Sequence, residues 1–209
     1  MKKLLGILAI TSLLASCTES GIEIKKKADF ISEANSQQIE KENSAKTSDV
    51  ALDSSMTMEE AAKKILSGEN YNRWNDTYLL SLIDSLNSNN KESRKYYFKV
   101  FNKIMDKADG YVSEAIGTSA LKYTSNHTIE FIEWSRELTE KQLDSWAYHV
   151  GVEISLSSQS NDLGGDDMEY GKSYANLLRQ NCKTCSIDKT RRLEEFTTST
   201  LQTVKRVSE

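Results

Sequence analysis

Thr139-Glu140-Lys141-Gln142-Leu143-Asp144-Ser145-Trp146-Ala147-Tyr148-His149-Val150 carries both a helix start and a helix period. The Thr139 hydroxyl can accept from the Gln142 amide while the Gln142 side chain reaches back to the Thr139 amide, a capping box, and Leu138 with Leu143 supplies the hydrophobic staple. Leu143, Trp146, Ala147, Val150 and Ile154 then recur every three or four residues, so they share one face of a helix running to about Ser155.

The same punctuation recurs on both sides. Upstream, Thr57 and Glu60 form a second capping box ahead of Met58, Ala61, Ala62, Ile65 and Leu66, with Gly68 where a left-handed cap belongs. Asp76 can cap a helix bearing Tyr78, Leu79, Leu82, Ile83 and Leu86. The polar Asn87-Ser88-Asn89-Asn90 turns the chain into a longer helix, about Lys91 to Ala108, that carries Tyr97, Phe98, Phe101, Ile104 and Met105 and ends at Gly110. Val112, Ala115, Ile116, Ala120 and Tyr123 mark another, closed by Ser125-Asn126. Ile129, Phe131, Ile132 and Trp134 mark a short one. Downstream of the polar loop Ser157 to Asp167, Tyr170, Tyr174, Leu177 and Leu178 define a helix. Asp188 can cap a last one with Leu193, Phe196, Leu201, Val204 and Val207.

Composition agrees. The chain of 209 residues contains no proline and only 9 glycines, whereas hairpins, sandwiches and barrels draw on both. The expected fold is all-α, an irregular helical bundle or a short α-solenoid of seven or eight helices. A shift of 49 residues lays Asn90, Phe98, Phe101 and Met105 on Thr139, Ala147, Val150 and Ile154. That offset resembles the stacked units of HEAT or armadillo solenoids, with a non-repeating bundle as the alternative.

Ahead of the helices lies a different kind of sequence. Lys2 and Lys3 precede the apolar run Leu4 to Leu14, then Leu14-Ala15-Ser16-Cys17, the charged, apolar and small-residue order of an export signal. The run is too short to span a bilayer. The tetrapeptide resembles the lipobox of bacterial lipoproteins, which implies cleavage before Cys17 and acylation of that cysteine. Two or three acyl chains anchor far more firmly than one. By resemblance to the proteobacterial sorting pattern, Thr18 in place of an aspartate implies the outer membrane. The periplasmic face is expected; the cell surface is the alternative, although Glu19 stands alone where surface display in some Bacteroidota carries an acidic pair. The chain thus divides into a signal over 1–16, a lipidated tether over 17–55 and a helical domain over 56–209. The tether is rich in Ser, Glu, Lys, Asn and Gln with no persistent stripe, and reads as disordered with a reach of roughly 35 Å. A short helix from Phe30 to Lys41 is the one local exception its sequence allows.

Charge excludes some partners. Loss of residues 1–16 removes Lys2 and Lys3 and leaves 25 basic against 31 acidic side chains, a net charge of −6. Nucleic acid and anionic lipid surfaces both demand a basic face.

Few residues suggest chemistry. Cys182-Lys183-Thr184-Cys185 is spaced for a disulfide, a redox pair or half a zinc site, and export favours the disulfide. A zinc site lacks its second half, since only His127 and His149 remain as nitrogen ligands. A thioredoxin-like reading lacks strands and a proline. Asn161 to Glu169 gathers acids and glycines without the alternating ligand order of an EF-hand, so no metal is expected. Ser119-Ala120-Leu121-Lys122 matches the Ser-x-x-Lys of serine acyltransferases but has no companion motif. No catalytic residue and no cofactor are assigned. Trp74, Tyr96 and Tyr148 fall beside or off the inward stripes, where exposed aromatics anchor protein interfaces; the competing reading has them padding the core edge. The reading is a membrane-anchored lipoprotein that binds or scaffolds a protein partner. Its rivals are a protective lipoprotein blocking a toxin or cell-wall enzyme, and an enzyme.

Overall fold

A computed structural model describes residues 56–70, 74–108, 110–159 and 166–209. Among the described residues there are eight α-helices and no strand. They are α1 (Met58–Leu66), α2 (Asp76–Asp84), α3 (Lys91–Met105), α4 (Gly110–Asn126), α5 (Thr128–Trp134), α6 (Glu140–Gln159), α7 (Asp167–Asn181) and α8 (Ile187–Ser208). The fold is all-α. The export signal, Cys17, the tether, its Phe30 to Lys41 segment and the glycines of the 160–165 stretch lie outside the described residues.

Local chemistry sets the boundaries. The Thr57–Glu60 capping box forms, with the Thr57 amide donating to Glu60 Oε2 at 2.8 Å. The Thr139–Gln142 box forms too, with the Gln142 amide 3.3 Å from Thr139 Oγ1. Gly68 follows α1 at φ +87, a conformation that a Cβ disfavours. Several boundaries differ from the sequence expectation. Asn75, not Asp76, caps α2, because its Oδ1 takes the Thr77 amide at 2.9 Å and leaves Asp76 inside the first turn. Helix α3 stops at Met105, and Gly110 opens α4 at φ +47 rather than closing α3. Helix α6 continues past Ser155 to Gln159, since Ser155, Ser157 and Ser158 are all buried and keep it packed. At α8 the cap position is Ser186 rather than Asp188, which sits in the first turn. Asp166 caps α7, accepting from the Met168 amide at 2.8 Å.

The core is organised around Trp146 of α6, which is fully buried. Its ring centroid lies 4.7 Å from Phe101, 5.4 Å from Phe98 and 5.0 Å from Phe131, while Phe131 in turn meets Phe196 of α8 at 4.7 Å. The indole proton is satisfied at depth, because Nε1 donates to Asn102 Oδ1 at 2.7 Å and Asn102 Nδ2 donates onward to the Phe98 carbonyl at 2.7 Å. Helices α3 and α5 thus pack directly on this one side chain of α6, and α8 reaches it through Phe131. Two stripe positions fall outside this core: Ile129 and Val207 are exposed.

An order of elements recurs. Helix α2, a 3-10 turn at Ser85–Asn87, cap Asn90 and α3 are followed later by α5, a 3-10 turn at Ser135–Glu137, cap Thr139 and α6. Phe98, Phe101 and Met105 are buried in the first set, as are Ala147, Val150 and Ile154 in the second.

Candidate functional site

Helices α6 and α8 run in the same direction, since Glu140 pairs with Arg192, Asp144 with Ser199 and Gly151 with Thr200 and Thr203. Parallel neighbours leave a trough along one edge, enclosing about 540 Å³ and lined by Lys141, Asp144, Tyr148 and His149 of α6 with Gln202 and Arg206 of α8. Tyr148 is 45% exposed. The Arg206 guanidinium lies over its ring at 5.8 Å from the centroid, and His149 meets it edge-on at 5.5 Å. Burial pushes the His149 imidazole down to about 4, so it is neutral at pH 7. The Asp144 carboxylate accepts from the Ser199 hydroxyl at 3.3 Å.

One turn beyond His149, where α6 meets α4, Glu153 is only 5% exposed. Thr118 donates to its Oε1 at 3.1 Å and Ser157 to the same oxygen at 3.4 Å; the charge nearby comes from Glu114, with no ion pair to Glu153 among the described residues. Burial holds its carboxyl above the ordinary value, with the hydroxyl donors partly offsetting this and Glu114 adding to it. The space comes from Gly117, where a Cβ would stand 3.1 Å from Glu153 Oε2.

A second cavity, about 330 Å³, sits where α4 passes into α5 and is lined by Ser125, His127, Glu130 and Asn181 among others. Glu130 is not free there. Arg94 grips it with two bonds, Nε to Oε2 at 3.0 Å and Nη2 to Oε1 at 2.8 Å, and sends Nη1 to the Ser88 carbonyl at 2.8 Å. Burial alone would raise the Glu130 carboxyl, but the bonds and charge of Arg94 override it and hold the group below its ordinary value. His127 is pushed down by burial and by Arg94. This arrangement ties the start of α3 to α5.

The residues singled out in the sequence disperse. Cys182 and Cys185 are bonded to each other, Cα–Cα 5.0 Å, closing the turn between α7 and α8. Trp74 and Tyr96 are partly buried against the core, Trp74 edge-on to Tyr78 at 6.3 Å and Tyr96 beside Tyr97 at 5.3 Å. Of the three candidate interface aromatics, only Tyr148 presents an open ring. Ser119 is buried and its carbonyl accepts from Asn87 Nδ2 at 3.3 Å, which places it in a helix seam. Among the described residues no three His, Cys, Asp or Glu side chains converge on a metal position.

Sequence reasoning weighed His149 only as a lone nitrogen ligand and passed over Glu153 and Arg206 as site residues. Glu153 left a legible signal: Trp146, Val150, Glu153 and Ser157 follow one helical stripe, so an acid sits where an apolar residue is due. Arg206 left none, because its significance lies in which carboxylates it lacks. The chain matches no protein-family model, no curated protein and no solved structure.

Proposed function

We propose that the chain is a lipid-anchored outer-membrane protein that acts at the periplasmic face as a protein-binding or scaffold module. The observation that carries this is Leu14-Ala15-Ser16-Cys17 behind two lysines and an apolar run, a resemblance to lipobox signals in position, order and residue identity. Support for binding rather than catalysis comes from the groups in hand. Glu130 is consumed by Arg94, and Glu153 is sealed in a helix seam. Tyr148 is the aromatic offered to solvent beside a charged side chain, the residue pair that protein interfaces favour. No helix among the described residues is long and apolar enough to cross a membrane, so attachment falls to Cys17.

The test is Cys17→Ala followed by cell fractionation. The variant leaves the membrane pellet and appears in the soluble fraction. Retention in the pellet after a high-salt wash overturns the anchor.

A further inference from the structure

We propose that the α6–α8 trough is the docking face for an acidic polypeptide segment of a partner protein, with Arg206 as its carboxylate anchor and the Tyr148 ring as the surface it lies on. This names the partner chemistry of the binding module proposed above and rests on that reading.

Charge complementarity carries the argument. Among the described residues, Arg94, Arg136, Arg179, Arg191 and Arg192 each have a carboxylate within 4.0 Å. Arg206 has none, and its guanidinium faces an aromatic ring instead. Carboxylates are not scarce, since the chain holds 31 acids against 27 basic residues. Two stand close by in sequence or space and are turned elsewhere: Asp144 in the trough accepts from Ser199, and Glu209 reaches Lys205 at 3.8 Å. A solvent-facing guanidinium therefore keeps its forked donors open for a carboxylate that the described residues do not supply. Lys141, exposed in the same trough, raises the count to two cations against the one acid, Asp144.

The ring supplies the second half. Tyr148 already carries Arg206 on one face and His149 at its edge, which leaves the other face of the ring for a segment to settle on. Tyrosine and arginine together are the residue types that dominate interface energetics. His149, neutral at pH 7, adds a donor and an acceptor without a charge to repel either end of the segment. Lys141, Tyr148, Gln202 and Arg206 are exposed along two parallel helices, a shape that suits an extended chain laid lengthwise.

The experiment uses the full chain in detergent and fluorescein-labelled decapeptides of Asp and Glu around a central Phe, read by anisotropy and by hydrogen exchange. The acidic peptide binds, and its Asn/Gln counterpart binds at least tenfold more weakly. Arg206→Gln weakens the acidic peptide at least tenfold, Arg206→Lys falls between, and exchange slows within 141–149 and 199–206. Arg206 is exposed, so these variants leave the core intact. Equal binding of the two peptides, indifference to Arg206→Gln, protection elsewhere, or displacement by stoichiometric inorganic phosphate overturns the proposal. Native partners captured on the detergent-solubilised chain separate the two readings. A partner held equally by wild type and Arg206→Gln overturns this face and leaves the binding module standing; capture of no partner strikes the binding module, and this proposal with it.

Discussion

Helix α6 is packed through a glycine on each side, and the two seams differ in what that glycine admits. Toward α8, a Cβ on Gly151 would fall 2.7 Å from Thr203 Cβ and 2.9 Å from the Thr200 carbonyl oxygen. Thr197 and Thr200 send their hydroxyls back into α8 at 2.9 Å, to the Leu193 and Phe196 carbonyls, so the seam sees their methyl groups. Toward α4, Gly117 makes room for the Glu153 carboxyl instead. One seam is closed on methyls and main chain, the other on an acid without a counter-ion. Close approach of helices therefore does not dictate the chemistry enclosed, and the two contacts respond differently to pH and to added volume.

The largest effect belongs to His149, one turn before Glu153 on the trough side. Its folded value of about 4 lies below the ordinary 6.5, so the unfolded chain binds the additional proton between those values. Stability from this group is present above pH 6.5 and is lost as pH falls toward 4, by about 3 kcal/mol over the window. His149→Gln removes that fraction of the acid sensitivity. Urea titrations at pH 7 and pH 4 check it; the same pH 7 to pH 4 loss in both proteins overturns it.

Added volume separates the seams next. Gly151→Ala forces main chain apart and costs about 2 kcal/mol, even after the gain in helix propensity. Gly117→Ala meets a flexible carboxyl at 3.1 Å and the His149 carbonyl at 3.2 Å, and costs less than about 1 kcal/mol. Thermal melts of both variants measure the ratio. Equal losses would erase the distinction drawn here.

How much of this was legible follows from where the information lies. Capping boxes are local, so Thr57–Glu60 and Thr139–Gln142 could be read directly, and the Trp146 stripe identified the core face of α6. In sequence Asp76 reads as the cap that Asn75 supplies, because adjacent acceptors compete and only backbone geometry chooses between them. Gly110 was misplaced because a positive φ can serve the entry of a helix as well as its exit. Trp74 and Tyr96 could be read as interface anchors or as padding of the core edge, because periodicity within one helix does not reveal what another helix brings against its flank. Glu153 was visible as an interruption, yet nothing in the sequence says that Gly117, 36 positions earlier, opens the space for it. The trough needed α8 laid parallel on α6, a tertiary fact.

The smallest expected effect tests the acid seam. Glu153 is held above the ordinary value of 4.5 by burial, so the native chain keeps a proton there that the unfolded chain has released. Its contribution to stability is complete below pH 4.5 and is lost as pH rises through the folded value, opposite in sign to His149. Glu153→Gln keeps the shape and cannot ionise. Its carbonyl can still accept from Thr118 and Ser157. The variant should match wild type near pH 4 and exceed it at pH 8, where the wild type alone bears the cost of ionising a buried carboxyl. Denaturant midpoints at the two pH values decide it. A difference that does not change with pH means that the carboxyl titrates in the fold as it does in the unfolded chain, and the α4–α6 seam must then contain a compensating group that its geometry does not show.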